Sequence, residues 1–109
     1  MAKKKKDKLL FTTLDPLGRE VKLYRGTWYG HILLGHPAMY GQIGKVKITI
    51  ETPELITERI AQNTLVYSSP TLAGEYCNVY VYTDTPESGF VRTAFIGRIA
   101  GGGTIIWPK

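Results

Sequence analysis

Four β-rich runs fill the second half of this chain, and the segments between them are too short to hold a helix. The runs are Thr64 to Ser68, Cys77 to Thr83, Phe90 to Ala100 and Thr104 to Trp107. Between them stand Ser69 to Gly74, Asp84 to Gly89 and Gly101 to Gly103. A parallel pairing needs a crossover of roughly a dozen residues or more, so the spacing predicts antiparallel neighbours. Gly101–Gly102–Gly103 leaves one strand and enters another, and reads as a hairpin turn and not as a phosphate cradle.

The first half has a different period. Lys22 to Arg25 reads as a short strand after the turn at Asp15–Pro16–Leu17–Gly18, closed by Gly26. Trp28 to Gly35 is helix-like, with Trp28, Ile32 and Gly35 on one side. Pro37 disfavours helical geometry at His36, so that helix is predicted to stop there. Met39 to Ile50 fits both periods: Ile43, Val46 and Ile50 make a helical stripe, while Val46, Ile48 and Ile50 alternate as a strand. Thr52–Pro53–Glu54 supplies a cap, a first-turn proline and an acid at the positive helix end. A second helix is therefore expected there, with Leu55, Ile56 and Ile60 on its apolar face. Helices first and an antiparallel sheet second make an α+β domain.

The chain has 109 residues, 43% of them apolar, which suits a single domain with its own core. No run of about 20 apolar residues exists, so a membrane span is not expected. The net charge of +5 is unevenly spread. Met1 to Lys8 holds five Lys and one Asp, and the remainder nine basic residues against eight acidic ones. Residues 1–8 are expected to be a basic flexible tail and 9–109 one domain. Such a tail attracts polyanions without reading sequence. It lacks the apolar core of a secretion signal, so a cytoplasmic location is the expectation. Cys77 is the one cysteine, which leaves no internal disulfide and no cysteine-type zinc site. Opening an apolar strand, it is expected to be buried and inert.

Two histidines, His31 and His36, are the acid–base candidates, since imidazole titrates near neutral pH. Their spacing sets them about 140° apart on an ideal helix, so they meet only if the backbone turns. The other reading is that each caps or packs the helix end. With no carboxylate nearby and no metal-binding spacing, neither a metal nor a cofactor is expected. On the third strand, Arg92, Ala94, Ile96 and Arg98 alternate with Val91, Thr93 and Phe95, and a bulge at Gly97 would move Arg98 across. Arg92 can bind phosphate if it lies in a groove, or be solvated on an open face. Tyr80 and Tyr82 share one face, which can stack bases or be a half-wet surface.

The order of motifs carries a resemblance. Trp28-x-x-His31–Ile32-x-x-x-His36–Pro37 is followed by Thr52–Pro53–Glu54–Leu55–Ile56 and the strand Thr64–Leu65–Val66–Tyr67. Then come Asn78 to Tyr82, Val91–Arg92–Thr93–Ala94–Phe95, and a glycine turn into Ile105–Ile106–Trp107. Over residues 22–107 this series resembles the phage-borne nuclease domains grouped with barnase, EndoU, colicins and RelE.

The resemblance implies a fold in which an N-terminal helical part packs on a four-stranded antiparallel sheet, with Met39–Ile50 helical. It implies metal-independent RNA cleavage by attack of the 2′-hydroxyl on the neighbouring phosphate, in a nuclease of phage or toxin type. His31 and His36 take the acid–base roles, and Thr93 hydrogen-bonds the phosphate. Arg92 is the candidate phosphate cation. Gly35 stands where the family has Arg, and Ala38 where it has an acidic residue. Arg25, Lys45 and Arg59 are the candidates to replace the missing charge, and Tyr67 is a further substrate-binding candidate. The implied partners are RNA and an inhibitor or immunity protein. Two other readings use the same residues: a non-catalytic domain that binds RNA or a protein, and a structural module of a phage particle.

Overall fold

The computed structural model describes residues 7–108. Strands take 46% and helical turns 25%. The strands are β1 (Leu9–Leu14), β2 (Glu20–Tyr24), β3 (Leu55–Arg59), β4 (Thr64–Pro70), β5 (Tyr76–Thr85), β6 (Ser88–Gly97) and β7 (Thr104–Trp107). They form one mixed sheet in the order β1-β2-β6-β5-β4-β3-β7. The expected four-stranded antiparallel sheet under an N-terminal helical part is therefore wrong. Among the described residues seven strands are present, one pairing is parallel, and the single helix of any length is α1 (Ile43–Glu51).

Each added strand has a local cause. β1 pairs antiparallel with β2 across the Asp15 turn, where the Asp15 carboxylate accepts the Leu17 and Arg19 amides, each at 2.8 Å. β2 then runs parallel to β6, from Glu20 beside Ser88 to Lys22 beside Phe90. The connection between them is most of the chain, long enough for a parallel pair. At Thr52–Pro53–Glu54 the expected helix does not start. The proline instead ends α1, whose last turn closes with the Thr52 hydroxyl donating to Ile48 O at 3.1 Å. The residues after it are β-branched and carry β3, which pairs with β4 from Leu55–Ser68 to Arg59–Thr64.

The glycine run is not a hairpin either. After β6 the chain crosses the sheet and lays β7 against β3, antiparallel, at the far edge. Buried polar side chains draw it across. Asn78 donates to Ile99 O and accepts from Gly101 N, both at 3.0 Å, while Thr57 donates to Gly102 O at 3.1 Å. Leaving those groups unpartnered costs about 1–3 kcal/mol each, so the crossing chain answers a need of the sheet.

One face of the sheet holds Leu65, Tyr67, Cys77, Val79, Val81, Val91 and Ala94, packed with Val46 and Ile50 of α1. The sheet curls around that helix, which lies against β1, β4 and β5. Asp15, just after β1, thus reaches the Tyr67 hydroxyl of β4 at 2.6 Å. Below the short strand β2, the free edge of β6 is covered by the turns Arg25–Thr27 and, in π geometry, Trp28–Ile32, which a third turn, Leu33–Gly35, continues. Trp28 and Ile32 enter the core from there. The turns stop at His36, as Pro37 predicts, with φ −139° and ψ 77°. The expected tail lies outside the described residues up to position 6. Asp7 and Lys8 are held, the Asp7 carboxylate accepting Gly26 N at 2.9 Å and Lys8 O accepting Arg25 N at 2.7 Å. No helix of the described residues is long and apolar enough to cross a membrane.

Candidate functional site

The second face of the sheet is only partly covered. The crossing segment lies over Asn78 and Thr57, and the other end stays open. There the side chains alternate out of β4, β5 and β6: Thr64, Tyr80, Tyr82, Thr93 and Phe95. A pocket of about 250 Å³ opens among His31, Gln62, Thr64, Tyr80, Arg92 and Thr93. None of these lining residues is acidic.

A bulge brings Arg92 to this pocket. Tyr80 pairs with Thr93 and Val81 with Val91, so Arg92 is the extra residue of β6. Val91 and Ala94 can both face the core, and Arg92 joins Thr93 on the open side. The face assignment predicted from strict alternation is corrected at this point: Arg92 parts from Ala94 and Ile96. The Arg92 guanidinium lies 5.8 Å from the Tyr82 ring centroid.

Two departures from α-helical geometry aim the histidines. His31 sits in the π-turn, which widens the helix by one residue per turn. His36 sits where the backbone leaves the helix. His31 is exposed and lines the pocket beside Thr93. The His36 ring is half-buried, 5.3 Å from the ring of Phe95. Thr93 and Phe95 are alternate residues of one strand, so their Cα atoms stand about 7 Å apart. His31 therefore lines the pocket, while His36 stands outside its lining, against Phe95 further along the same strand.

The hydroxyl oxygen of Thr93 is buried and has no hydrogen-bond partner among the described residues. A hydroxyl both donates and accepts, and a turn about χ1 would bring this unused one into the pocket that Thr93 lines. From Phe95 the aromatic series continues to Tyr80, 5.6 Å away, and Arg59 lies over Tyr80 at 5.1 Å. Arginines, imidazoles and aromatic rings without a carboxylate make a surface suited to a phosphate ester carrying bases.

The other candidates lie elsewhere. Tyr67 is not a substrate residue: it is fully buried on the helix-side face, and its hydroxyl donates to Asp15. Burial, with that bond, pushes its phenol well above the ordinary range. Lys45 is on α1 and donates to Pro70 O at 3.0 Å, away from the pocket. Arg25 stacks on Tyr29 at 5.1 Å, outside the pocket lining. Cys77 is buried, and desolvation raises its thiol above the usual value. Among the described residues no three His, Cys, Asp or Glu side chains converge as metal ligands. Gln62 and Thr64 were not singled out from sequence. Their place at the pocket depends on the β3–β4 turn, and the helix signal at Pro53 hid that turn.

Compared with protein-family models, curated proteins and solved structures, the chain matches none.

Proposed function

We propose that the open sheet face binds RNA and cleaves it without a metal ion. The observation that carries this reading is the convergence of His31, Arg92 and the unpartnered Thr93 hydroxyl on one acid-free pocket. A phosphodiester seated there has the Thr93 hydroxyl as a donor to a non-bridging oxygen. The Arg92 guanidinium faces the charge that grows on phosphorus in the phosphorane. His31 takes the proton of the 2′-hydroxyl as the 2′-oxygen bonds to phosphorus. The bond from phosphorus to the 5′-oxygen breaks, and that oxygen takes a proton from His36. The products are a 2′,3′-cyclic phosphate and a 5′-hydroxyl. An enzyme of this kind calls for an inhibitor that covers the same face, which is the protein partner the reading implies.

A second reading has its own support. The series of rings from His36 through Phe95 to Tyr80, capped by Arg59, suits stacking of bases without turnover. One experiment separates the two. The purified chain is incubated with RNA in excess EDTA, and the ends formed are mapped. Cyclic phosphate and 5′-hydroxyl ends support cleavage. Retained RNA that stays intact while bound to the chain rejects cleavage and leaves the binding domain.

A further inference from the structure

Tyr80 and Tyr82 stand two residues apart on the open side of β5, with Cα atoms about 7 Å apart. Each has a guanidinium over its ring, Arg59 at 5.1 Å from Tyr80 and Arg92 at 5.8 Å from Tyr82. They arrive from opposite sides, Arg92 from the adjacent strand β6 and Arg59 from β3, two strands away. Neither belongs to an ion pair among the described residues.

Arg59 is fixed in place. Its Nε donates to Gly102 O at 3.1 Å and its Nη2 to the Tyr80 hydroxyl at 3.2 Å. A guanidinium has five N–H donors, so most of its hydrogen-bonding capacity remains for a ligand. The glycine run of the crossing segment makes this seat. Gly102 has φ +139°, and a Cβ there would lie 2.5 Å from Arg59 Nη2. Any larger residue would push the guanidinium off its ring. The chain thus holds, beside an open pocket, a cation that no acidic side chain among the described residues neutralises.

We propose that Arg92 and Arg59 bind consecutive phosphates of a single-stranded oligonucleotide, Arg92 at the reacting centre and Arg59 at the next phosphate along the strand. The inference rests on reading the open face as an RNA site. The two guanidiniums sit on alternate residues of one strand, an order that matches successive phosphates along one oligonucleotide strand. The guanidinium planes on Tyr80 and Tyr82, with the Phe95 ring beside Tyr80, are stacking surfaces for unpaired bases, which a duplex does not offer. Two guanidiniums near one another, with no carboxylate in the pocket lining, favour a ligand with more than one negative charge.

The test uses short 2′-deoxy oligonucleotides without terminal phosphates, which lack the attacking hydroxyl and stay intact. Binding of the two-, three- and four-nucleotide strands is followed by NMR titration of the whole chain. Affinity is expected to rise about tenfold from two nucleotides to three, the size of one charge-assisted contact. The rise should vanish in Arg59→Gln. It should also vanish in the unaltered chain when the second linkage is a neutral methylphosphonate, which needs no variant to fold. A step that survives both changes overturns the proposal, as does pyrophosphate or duplex binding as tightly as the trinucleotide. An Arg59-dependent step without RNA cleavage keeps this subsite and removes only the catalytic reading. Cleavage without the step removes only the subsite.

Discussion

Thr93 lies in the middle of β6, paired with Tyr80, with its hydroxyl oxygen buried and unpartnered at the pocket wall. Thr93→Val keeps the β-branched shape and replaces the hydroxyl by a methyl group. A buried hydroxyl without a partner costs a folded protein about 1–3 kcal/mol. The oxygen is sealed from solvent but borders the open pocket, where a turn about χ1 would bring it to water, so the low end of that range applies. Stability is expected to stay level or rise by up to about 1 kcal/mol, a shift of about 4 °C or more in Tm at the upper limit. Function should move the other way. One hydrogen bond to a charged phosphate is worth about 1.5–3 kcal/mol, so cleavage of RNA should fall roughly 10- to 100-fold. Thermal unfolding and single-turnover cleavage on the same preparation give both numbers. A variant destabilised by more than about 1 kcal/mol with cleavage intact would refute the argument, since the hydroxyl would then serve the fold.

Other consequences follow from groups away from the pocket. Tyr67→Phe removes one of the bonds to the buried Asp15 carboxylate, leaving the Leu17 and Arg19 amides. Urea unfolding should show a loss of about 1.5–3 kcal/mol, with RNA cleavage by the folded variant unchanged. The Thr13 hydroxyl, and after it Lys47, holds the Glu51 carboxyl below its ordinary range. The folded chain then gives up this proton at lower pH than the unfolded chain does. The stabilisation is complete above the ordinary carboxylate range and is lost as pH falls through the folded value. In Glu51→Gln the urea midpoint should fall less steeply between about pH 5 and 3 than in the unaltered chain. Cys77, buried and with its thiol raised by desolvation, should react with a thiol reagent at pH 8 only after denaturant is added. Rapid labelling of the folded chain would contradict that placement.

The sheet was legible where alternation is strong. The runs Thr64 to Ser68, Cys77 to Thr83 and Phe90 to Ala100 fall largely on β4, β5 and β6, β7 has the bounds expected of it, and Pro37 marks the end of the helical turns. β3 was hidden by a signal that two elements share: a proline after a threonine opens helices, and it also closes them. Here α1 had already formed, and Ile56 and Thr57 are buried on opposite sides of a strand. The crossing of the sheet had no local signal. Three glycines permit a hairpin as well as an extended path, and the path was decided by Asn78 and Thr57, buried polar groups distant in sequence. β1 escaped notice because Leu9–Leu10–Phe11 is short and half of its residues stay exposed.

At the site, the residues were legible and their arrangement was not. His31, His36, Arg92 and Thr93 were chosen by type and motif order, yet the convergence of His31, Arg92 and Thr93 depends on a π-turn and a bulge, and His36 stands outside the pocket lining. Neither irregularity has a sequence signature. Tyr67 failed for a simple reason: it stands one residue from Val66 and so faces the helix, where an apolar ring and one buried bond define its role.

The central claim is that His31 acts on a phosphate held at the open sheet face. Its most direct test compares single-turnover RNA cleavage in EDTA by the unaltered chain and by His31→Ala. The binding of an uncleavable deoxy strand is measured alongside. The account predicts cleavage reduced by about 100-fold or more with the strand still bound and the fold intact. Equal cleavage rates in the two proteins would contradict it.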